Sequence, residues 1–250
     1  MLNLLYESLF LKHEKNKDPF LKLLNDKVIC YESFLCKSRR YANTFYSLGL
    51  FKGDRVAIQV EKSPEPLAIY AACVQSGLVF LPFNISYTPD EISYLLEDSQ
   101  AKVFIGDCSK ERELQKILEK SNTIFETLDA GGNGSFISKS KKMSDSFSTV
   151  KMGNDDLVAI LYTSGTTGKP KGAMLSQQNL LSNAKGLVNT WKFSKNDVLL
   201  HALPIYHTHG LFVAINVTLL SGGAIIFIPK FDVDLVIQNI SKATVMMGVP

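Results

Sequence analysis

The residues from Thr163 to Gly172 have the composition of a loop that binds phosphate. They comprise four hydroxyl side chains, three glycines, two lysines and a single proline. Glycines let backbone N–H groups face a ligand, hydroxyls donate hydrogen bonds, and lysines supply positive charge. We therefore predict a nucleotide-phosphate site here. Its candidate binding residues are Thr163, Ser164, Gly165, Thr166, Thr167, Gly168, Lys169 and Lys171.

Two other interpretations of this loop fit the residues less well. An ordinary P-loop has four residues between its first glycine and the Gly-Lys pair, and a serine or threonine follows the lysine. Here Gly165 and Gly168 are only three positions apart, and Pro170 follows Lys169. A flexible polar turn between strands would explain the glycines and hydroxyls but not the paired lysines.

The flanking residues predict regular structure on both sides of the loop. Leu157–Tyr162 is a short uncharged run with the length of a buried strand. A second short strand is predicted over Ala173–Leu175. Ser176 can then cap a helix that begins at Gln177.

A second candidate site lies at His207 and His209, which follow a predicted strand over Val198–Ala202. In open α/β sheets, ligands bind beyond the carboxyl ends of strands. A single histidine in such a loop is more often a hydrogen-bonded core residue. Two histidines could instead contribute to a metal site, but no third ligand of suitable spacing accompanies them, and we predict no metal site. From the residues alone, the role of the two histidines stays open.

Along the rest of the chain, helix and strand signals alternate, which predicts an α/β fold of mostly parallel sheets flanked by helices. Residues 129–151 are rich in Gly, Ser and Lys and are expected to form a mobile loop or linker. This segment suggests two subdomains, residues 1–150 and residues 151–250. Further helices are predicted over 31–48, 66–76, 88–98, 110–120, 210–220 and 233–240, and further strands over 55–60, 79–82, 103–106, 224–228 and 244–248.

Composition narrows the classes of partner. The net charge is only +3, and no basic block with interleaved aromatics is present, so no nucleic-acid partner is predicted. Residues 198–229 carry no Asp, Glu, Lys or Arg, but Pro204, Gly210 and Gly222 divide them into pieces too short for a membrane span. The four cysteines show no metal-ligand spacing and no secretory signal is evident, which predicts reduced thiols and a cytoplasmic location.

The loop TSGTTGKPKG, residues 163–172, resembles the phosphate-binding signature of the adenylate-forming, or AMP-binding, enzyme superfamily. This superfamily includes acyl- and aryl-CoA synthetases, luciferases and the adenylation domains of peptide synthetases. The segment LPIYHTHG, residues 203–210, resembles the family's Pro-aromatic-His segment, which lines the acyl pocket. By this resemblance His207 is a catalytic and substrate-binding residue that orients the carboxylate, and His209 is a substrate-binding residue in the pocket wall.

The resemblance implies an ATP-dependent acid–CoA ligase. A carboxylate would attack the α-phosphorus of ATP with Mg²⁺ present, and the thiol of coenzyme A would then displace AMP from the acyl-adenylate. The implied partners are therefore a small carboxylic acid, ATP and coenzyme A. LPIYHTHGLFVAINVTLLSGG and the final MMGVP most resemble the malonyl-CoA synthetase branch. The polar His209 would suit the far carboxylate of malonate or another short acid.

The resemblance covers only about the first half of such an enzyme. We therefore expect an incomplete amino-terminal domain of the adenylate-forming fold, which is inactive as a ligase by itself. Two alternatives remain open at this point. The chain could belong to an adenylation domain that loads a carrier protein, or it could be a catalytically dead nucleotide-binding remnant.

Overall fold

A computed structural model describes residues 3–119, 121–163 and 170–249 of the chain. Within these ranges the strands form one sheet of five and one sheet of six. The strands are β1 Pro19–Leu23, β2 Val28–Cys30, β3 Arg55–Gln59, β4 Val79–Pro82, β5 Val103–Gly106, β6 Ile124–Thr127, β7 Leu157–Thr163, β8 Lys171–Ser176, β9 Val198–His201, β10 Ala224–Phe227 and β11 Val245–Met246.

The five-stranded sheet has the order β11-β9-β10-β1-β2, and the six-stranded sheet has the order β6-β5-β3-β4-β7-β8. Neighbouring strands are parallel except for the β1–β2 and β7–β8 pairs, which are antiparallel. Parallel neighbours need crossover connections, and helices supply most of them. The prediction of mostly parallel sheets flanked by helices is confirmed.

The helices of the described residues flank these sheets. They are α1 Leu4–Leu9, α2 Tyr31–Ser47, α3 Pro64–Ser76, α4 Pro89–Ser99, α5 Glu111–Leu118, α6 Ser135–Ser140, α7 Gln177–Trp191, α8 Asn216–Ser221 and α9 Val233–Ile240. Short 3₁₀ turns span Leu11–His13 and Cys108–Lys110, and a π-helix spans His209–Ile215.

Local signals fix several helix ends. Thr88 and Glu91 form a capping box around Pro89, because each side chain bonds the backbone N–H of the other residue. Ser176 caps α7 in the same manner. Gly77 ends α3 with a φ of +70°, a left-handed conformation that glycine adopts without steric cost. These boundaries agree with those predicted from the sequence.

The hydrophobic core surrounds α3, whose residues from Pro66 to Ser76 are all buried. A helix that is apolar on every side must be enclosed by other elements. The largest cluster of buried side chains therefore includes residues of α3, of both sheets and of α1, α2, α7 and α8. A second cluster packs the opposite face of the six-stranded sheet against α4 and α5.

The expectation of an irregular linker over residues 129–151 was wrong in part. Residues 135–140 form α6, whose Phe136 is fully buried and packs edge-on against Tyr41 of α2, with ring centroids 5.1 Å apart. Further along the segment, the amide of Asn43 donates hydrogen bonds to the carbonyls of Ser144 and Ser146. The two adjacent apolar residues of α6, Phe136 and Ile137, give too short a signal for a periodic pattern, yet their burial helps to attach the segment to the core.

Strands β1, β2 and β6 were not predicted either. Both sheets contain strands from the two sides of residue 150: β1 lies beside β10, and β4 lies beside β7. Strand pairing thus crosses the expected subdomain boundary in each sheet. The division into subdomains of residues 1–150 and 151–250 remains a prediction.

Candidate active site

The two ends of the predicted phosphate loop are held by the β7–β8 hairpin. Thr163 and Lys171 are paired residues in this antiparallel ladder, and the Thr163 hydroxyl donates to the Lys171 carbonyl at 3.4 Å. Both residues are exposed. The other predicted binding residues, Ser164, Gly165, Thr166, Thr167, Gly168 and Lys169, lie outside the described residues. Thr163, at the end of β7, and Lys171, at the start of β8, therefore lie side by side at the two ends of the loop.

Tyr162 anchors the end of β7 from which this loop begins. Its ring packs edge-on against Phe83, just beyond β4, with centroids 6.1 Å apart. Its hydroxyl donates to the Asp98 carboxylate of α4 at 2.6 Å. Burial, together with this carboxylate, raises the pKa of the phenol, which keeps Tyr162 a neutral donor. The loop therefore begins from a fixed point on the sheet.

The predicted acid-site histidines follow β9. His207 is exposed, its ring lies 4.6 Å from the ring of Tyr206, and its carbonyl accepts a hydrogen bond from the Leu211 N–H. His209 is half-buried and is the first residue of the π-helix. The sequence predicted an ordinary helix from Gly210. A π-helix is a feature that recurs at functional sites because it alters the direction of side chains.

Gly210 closes the loop that carries these histidines. A Cβ atom at this position would lie 2.0 Å from the carbonyl oxygen of Pro204, so no other residue fits without a backbone shift. The chain from Pro204 to Gly210 therefore turns back on itself and presents Tyr206, His207 and His209 within one short loop.

The histidine loop lies at the same edge of the six-stranded sheet as the start of the phosphate loop. A cavity of about 20 Å³ is lined at the ends of β3 and β4 by Ile58, Pro82 and Phe83, and on the histidine loop by Ile205, Tyr206 and Leu211. Because β7 runs parallel to β4, it ends at the same edge. Phe83 contacts Tyr162 on one side and lines this cavity on the other. The described end of β7 and the histidine loop thus lie at one edge, as expected for the carboxyl ends of parallel strands.

A buried pair that was not predicted lies beside the histidine loop. The Lys62 ammonium is 2.8 Å from His201 Nδ1, 2.9 Å from the His201 carbonyl and 2.6 Å from the Ile228 carbonyl. The other ring nitrogen, Nε2 of His201, lies 2.7 Å from the Gly210 carbonyl. Lys62 is 8% exposed and His201 is 1% exposed.

The surroundings of this pair change both pKa values. Burial lowers the pKa of Lys62 to about 7. Burial, reinforced by the nearby Lys62 charge, lowers the pKa of His201 to about 3, so this imidazole is neutral at physiological pH. A sequence signal for both residues was available: Lys62 comes shortly after β3, and His201 ends β9, so each lies near the carboxyl end of a parallel strand.

The described residues provide no metal centre. Across residues 3–119, 121–163 and 170–249, no group of three or more His, Cys, Asp or Glu side chains is placed to hold a metal ion. Within the same ranges, no carboxylate forms an ion pair with Lys171. The exposed charge of Lys171 is thus available to an anion.

Comparison with known proteins gives consistent matches over most of the chain. The sequence profile of the AMP-binding enzyme family matches residues 13–250. A CoA ligase of Gibberella moniliformis is 32% identical over 234 residues, which are 90% of this chain and 38% of the ligase. A malonate–CoA ligase of Arabidopsis thaliana is 31% identical over 191 residues, which are 76% of this chain and 31% of the ligase.

Structural comparison agrees with these relatives. The ATP-bound crystal structure of MatB from Rhodopseudomonas palustris superposes with a TM-score of 0.95 and 46% sequence identity, and the match covers 98% of this chain and 49% of MatB. The chain thus spans less than half the length of each of these relatives. The family match extends over nearly all of its residues, and the chain belongs to the AMP-binding enzyme family.

Proposed function

We propose that this chain is the amino-terminal part of an ATP-dependent acid–CoA ligase whose acid is malonate or another short carboxylic acid. The observation that carries the proposal is the shared edge of the six-stranded sheet, at which β7 ends in the Thr163–Lys171 pair and residues 205, 206 and 211 line a cavity against the ends of β3 and β4. The reaction transfers the adenylyl group of ATP to a carboxylate and releases pyrophosphate, so both substrates must be held at one place. The family match and the ATP-bound MatB structure support ATP as the nucleotide.

In this proposal the residues from Thr163 to Lys171 bind the β- and γ-phosphates of ATP. Phosphoryl and nucleotidyl transfer depend on positioned donors and cations more than on covalent help from the protein. Exposed Lys171 and the Thr163 hydroxyl suit that role. Mg²⁺ is proposed to arrive with ATP.

The acid is proposed to lie against the histidine loop. The exposed imidazole of His207 orients the reacting carboxylate towards the α-phosphorus, and the half-buried His209 faces the remainder of the acid. A second carboxylate on that acid would find a hydrogen-bonding partner at His209, whereas an alkyl chain would not. The Arabidopsis malonate–CoA ligase among the relatives supports a short dicarboxylate.

The relatives favour coenzyme A as the acceptor. Those described above include two enzymes named as CoA ligases. No observation favours a carrier protein as acceptor or a catalytically dead remnant. A cytoplasmic location and the lack of a nucleic-acid partner remain predictions. None of the helices in the described ranges has the length and apolar character needed to cross a membrane.

A chimeric enzyme tests the proposal directly. Residues 1–250 replace the matching part of Rhodopseudomonas palustris MatB, whose backbone they follow with a TM-score of 0.95. We expect the chimera to release pyrophosphate from ATP when malonate or another short acid is present, and to release AMP when coenzyme A is added as well. His207→Ala should abolish acid-dependent AMP release while ATP still binds.

MatB itself serves as the positive control for the assay. A folded chimera that binds ATP but forms no acyl-adenylate with any short mono- or dicarboxylic acid would refute the proposal. So would a His207→Ala chimera that retains full activity.

A further inference from the structure

Lys62 is a buried cation whose hydrogen bonds are all made to neutral groups. A lysine ammonium has three donors and no acceptor, and the three acceptors around Lys62 are one ring nitrogen and two backbone carbonyls. The ammonium also lies 4.6 Å from the centre of the Phe227 ring. Among the described residues, no carboxylate is within ion-pair distance of it. Burying an ammonium without a counter-ion is costly, which indicates a role beyond packing.

The contacts of His201 define its tautomer. The Gly210 carbonyl can only accept, so Nε2 of His201 must carry the proton that it donates across 2.7 Å. Nδ1 of the neutral ring is then an acceptor and requires a donor, which Lys62 supplies at 2.8 Å. A buried acceptor left without a donor would cost free energy, so the lysine stabilises one tautomer and one ring orientation.

The Gly210 carbonyl connects this pair to the histidine loop. Gly210 leaves no room for a Cβ atom beside the Pro204 backbone, and its carbonyl accepts the His201 hydrogen bond. These two contacts fix the far end of the loop that bears His207 and His209. Lys62 itself follows β3 of the six-stranded sheet, whereas His201 and Ile228 lie at the ends of β9 and β10 of the five-stranded sheet. The lysine therefore joins both sheets at the edge where the site opens.

We propose that Lys62 is a positioning residue for the acid site: it holds His201 as the Nε2–H tautomer, and His201 in turn holds the Gly210 carbonyl and with it the loop of His207 and His209. This proposal rests on the proposed function, because only that function assigns the loop of His207 and His209 to the binding of the acid. Lys62 acts through His201 and touches no reacting atom.

The tautomer can be measured in the chain of 250 residues without any catalysis. The chain has four histidines, so long-range ¹H–¹⁵N spectra of the imidazole rings are readily assigned with single His→Gln variants. At pH 7 we expect His201 to carry its only ring proton on Nε2. A proton on Nδ1, or on both nitrogens, overturns the proposal without the need for any lysine variant.

Lys62→Met removes the donor and the charge but keeps an unbranched side chain of similar length. We expect broadened His201 ring signals and shifted amide signals at His209 and Leu211. Lys102→Met is the matched control, because Lys102 also donates to a backbone carbonyl and lies near a phenylalanine ring, but it does so beside Gly49 and Phe51. A folded Lys62→Met chain whose His201, His209 and Leu211 signals match those of the parent overturns the proposal.

The MatB chimera supplies the catalytic measurement. Lys62→Met should lower kcat/KM for the acid roughly ten- to hundredfold, as small misplacements of a positioning group do, and should leave the KM for ATP unchanged. An active chimera in which Lys62→Met keeps the parent kcat/KM overturns the positioning role. A parent chimera that folds and binds ATP but forms no acyl-adenylate overturns the proposed function instead, and the tautomer measurement still decides the role of Lys62.

Discussion

The buried imidazole of His201 predicts a specific loss of stability in mild acid. Its pKa in the folded chain is about 3, because burial and the Lys62 charge disfavour the imidazolium, whereas an unfolded histidine titrates near 6.5. Between these values the unfolded chain binds more protons than the folded chain. The free energy of unfolding therefore rises with pH through this window. The stability that depends on neutral His201 is fully present above about pH 6.5 and is lost progressively as the pH is lowered.

The size of the effect at pH 5 follows from the unfolded state alone. This pH is about 1.5 units below the pKa of the unfolded imidazole, so the unfolded ring is protonated, whereas the folded ring stays neutral. His201 therefore contributes a loss of about 2 kcal/mol in the free energy of unfolding relative to pH 7. Any folded pKa well below 5 gives the same result. Lys62, with a folded pKa of about 7, titrates only at the upper end of this interval and adds a loss of the same sign of about 0.4 kcal/mol. His13 is also buried with a lowered pKa and adds a loss of the same sign.

The assay is urea unfolding followed by far-ultraviolet circular dichroism at pH 7 and pH 5. His201→Gln removes the titrating ring and keeps an amide that can accept from Lys62 and donate to Gly210. We expect the loss between pH 7 and pH 5 to be about 2 kcal/mol smaller in His201→Gln than in the parent. His13 is present in both proteins, so its contribution cancels from the difference.

His207→Gln is the matched control, because it makes the same substitution at an exposed position in the loop that follows β9. This variant should show the parent's loss of stability between pH 7 and pH 5. If His201→Gln also shows the full loss, His201 is not a neutral buried group and the reasoning above is wrong. Equal urea m-values at the two pH values would establish that the comparison is between the same folded and unfolded states.

Three further predictions concern the loops. Gly210→Ala should lower the free energy of unfolding by about 1–3 kcal/mol, because its Cβ would meet the Pro204 carbonyl at 2.0 Å. Gly186→Ala, in α7 with no atom near its Cβ, should raise it by about 1 kcal/mol. Equal urea midpoints for the two variants would contradict this prediction. In the chimera, Lys171→Ala should reduce acyl-adenylate formation more than acid binding, and equal losses would argue against a phosphate role. His209→Phe should shift the ratio of activities from malonate towards a short fatty acid, and an unchanged ratio would remove His209 from the acid pocket.

The elements that were predicted correctly depend on contacts between near neighbours in the chain. The capping box of Thr88 and Glu91 spans three positions, and Gly77 ends its helix through its own backbone conformation. The composition of residues 163–172 indicated a phosphate site without any knowledge of the fold. The described ends of that loop, Thr163 and Lys171, are exposed and paired, and the role of the loop itself remains a prediction.

The errors have a common physical cause. α6 is held by the burial of Phe136 against α2, and β1 is held by β10, about 200 positions along the chain. Such segments carry weak local preferences, and tertiary packing decides their structure. The π-helix at His209 is a further example, since the residues from Gly210 onward have an ordinary helical pattern.

The sequence by itself determined the α/β alternation, most helix boundaries, the phosphate-loop composition and the likeness to adenylate-forming enzymes. Only the tertiary structure brought the histidine loop to the edge of the sheet where β7 ends, and only it joined Lys62 to His201, which is 139 positions away. The reason is that a local pattern records which residues repeat along a helix or strand. The energy of a buried ammonium or imidazole depends instead on which distant acceptors surround it, and that arrangement exists only in the folded chain.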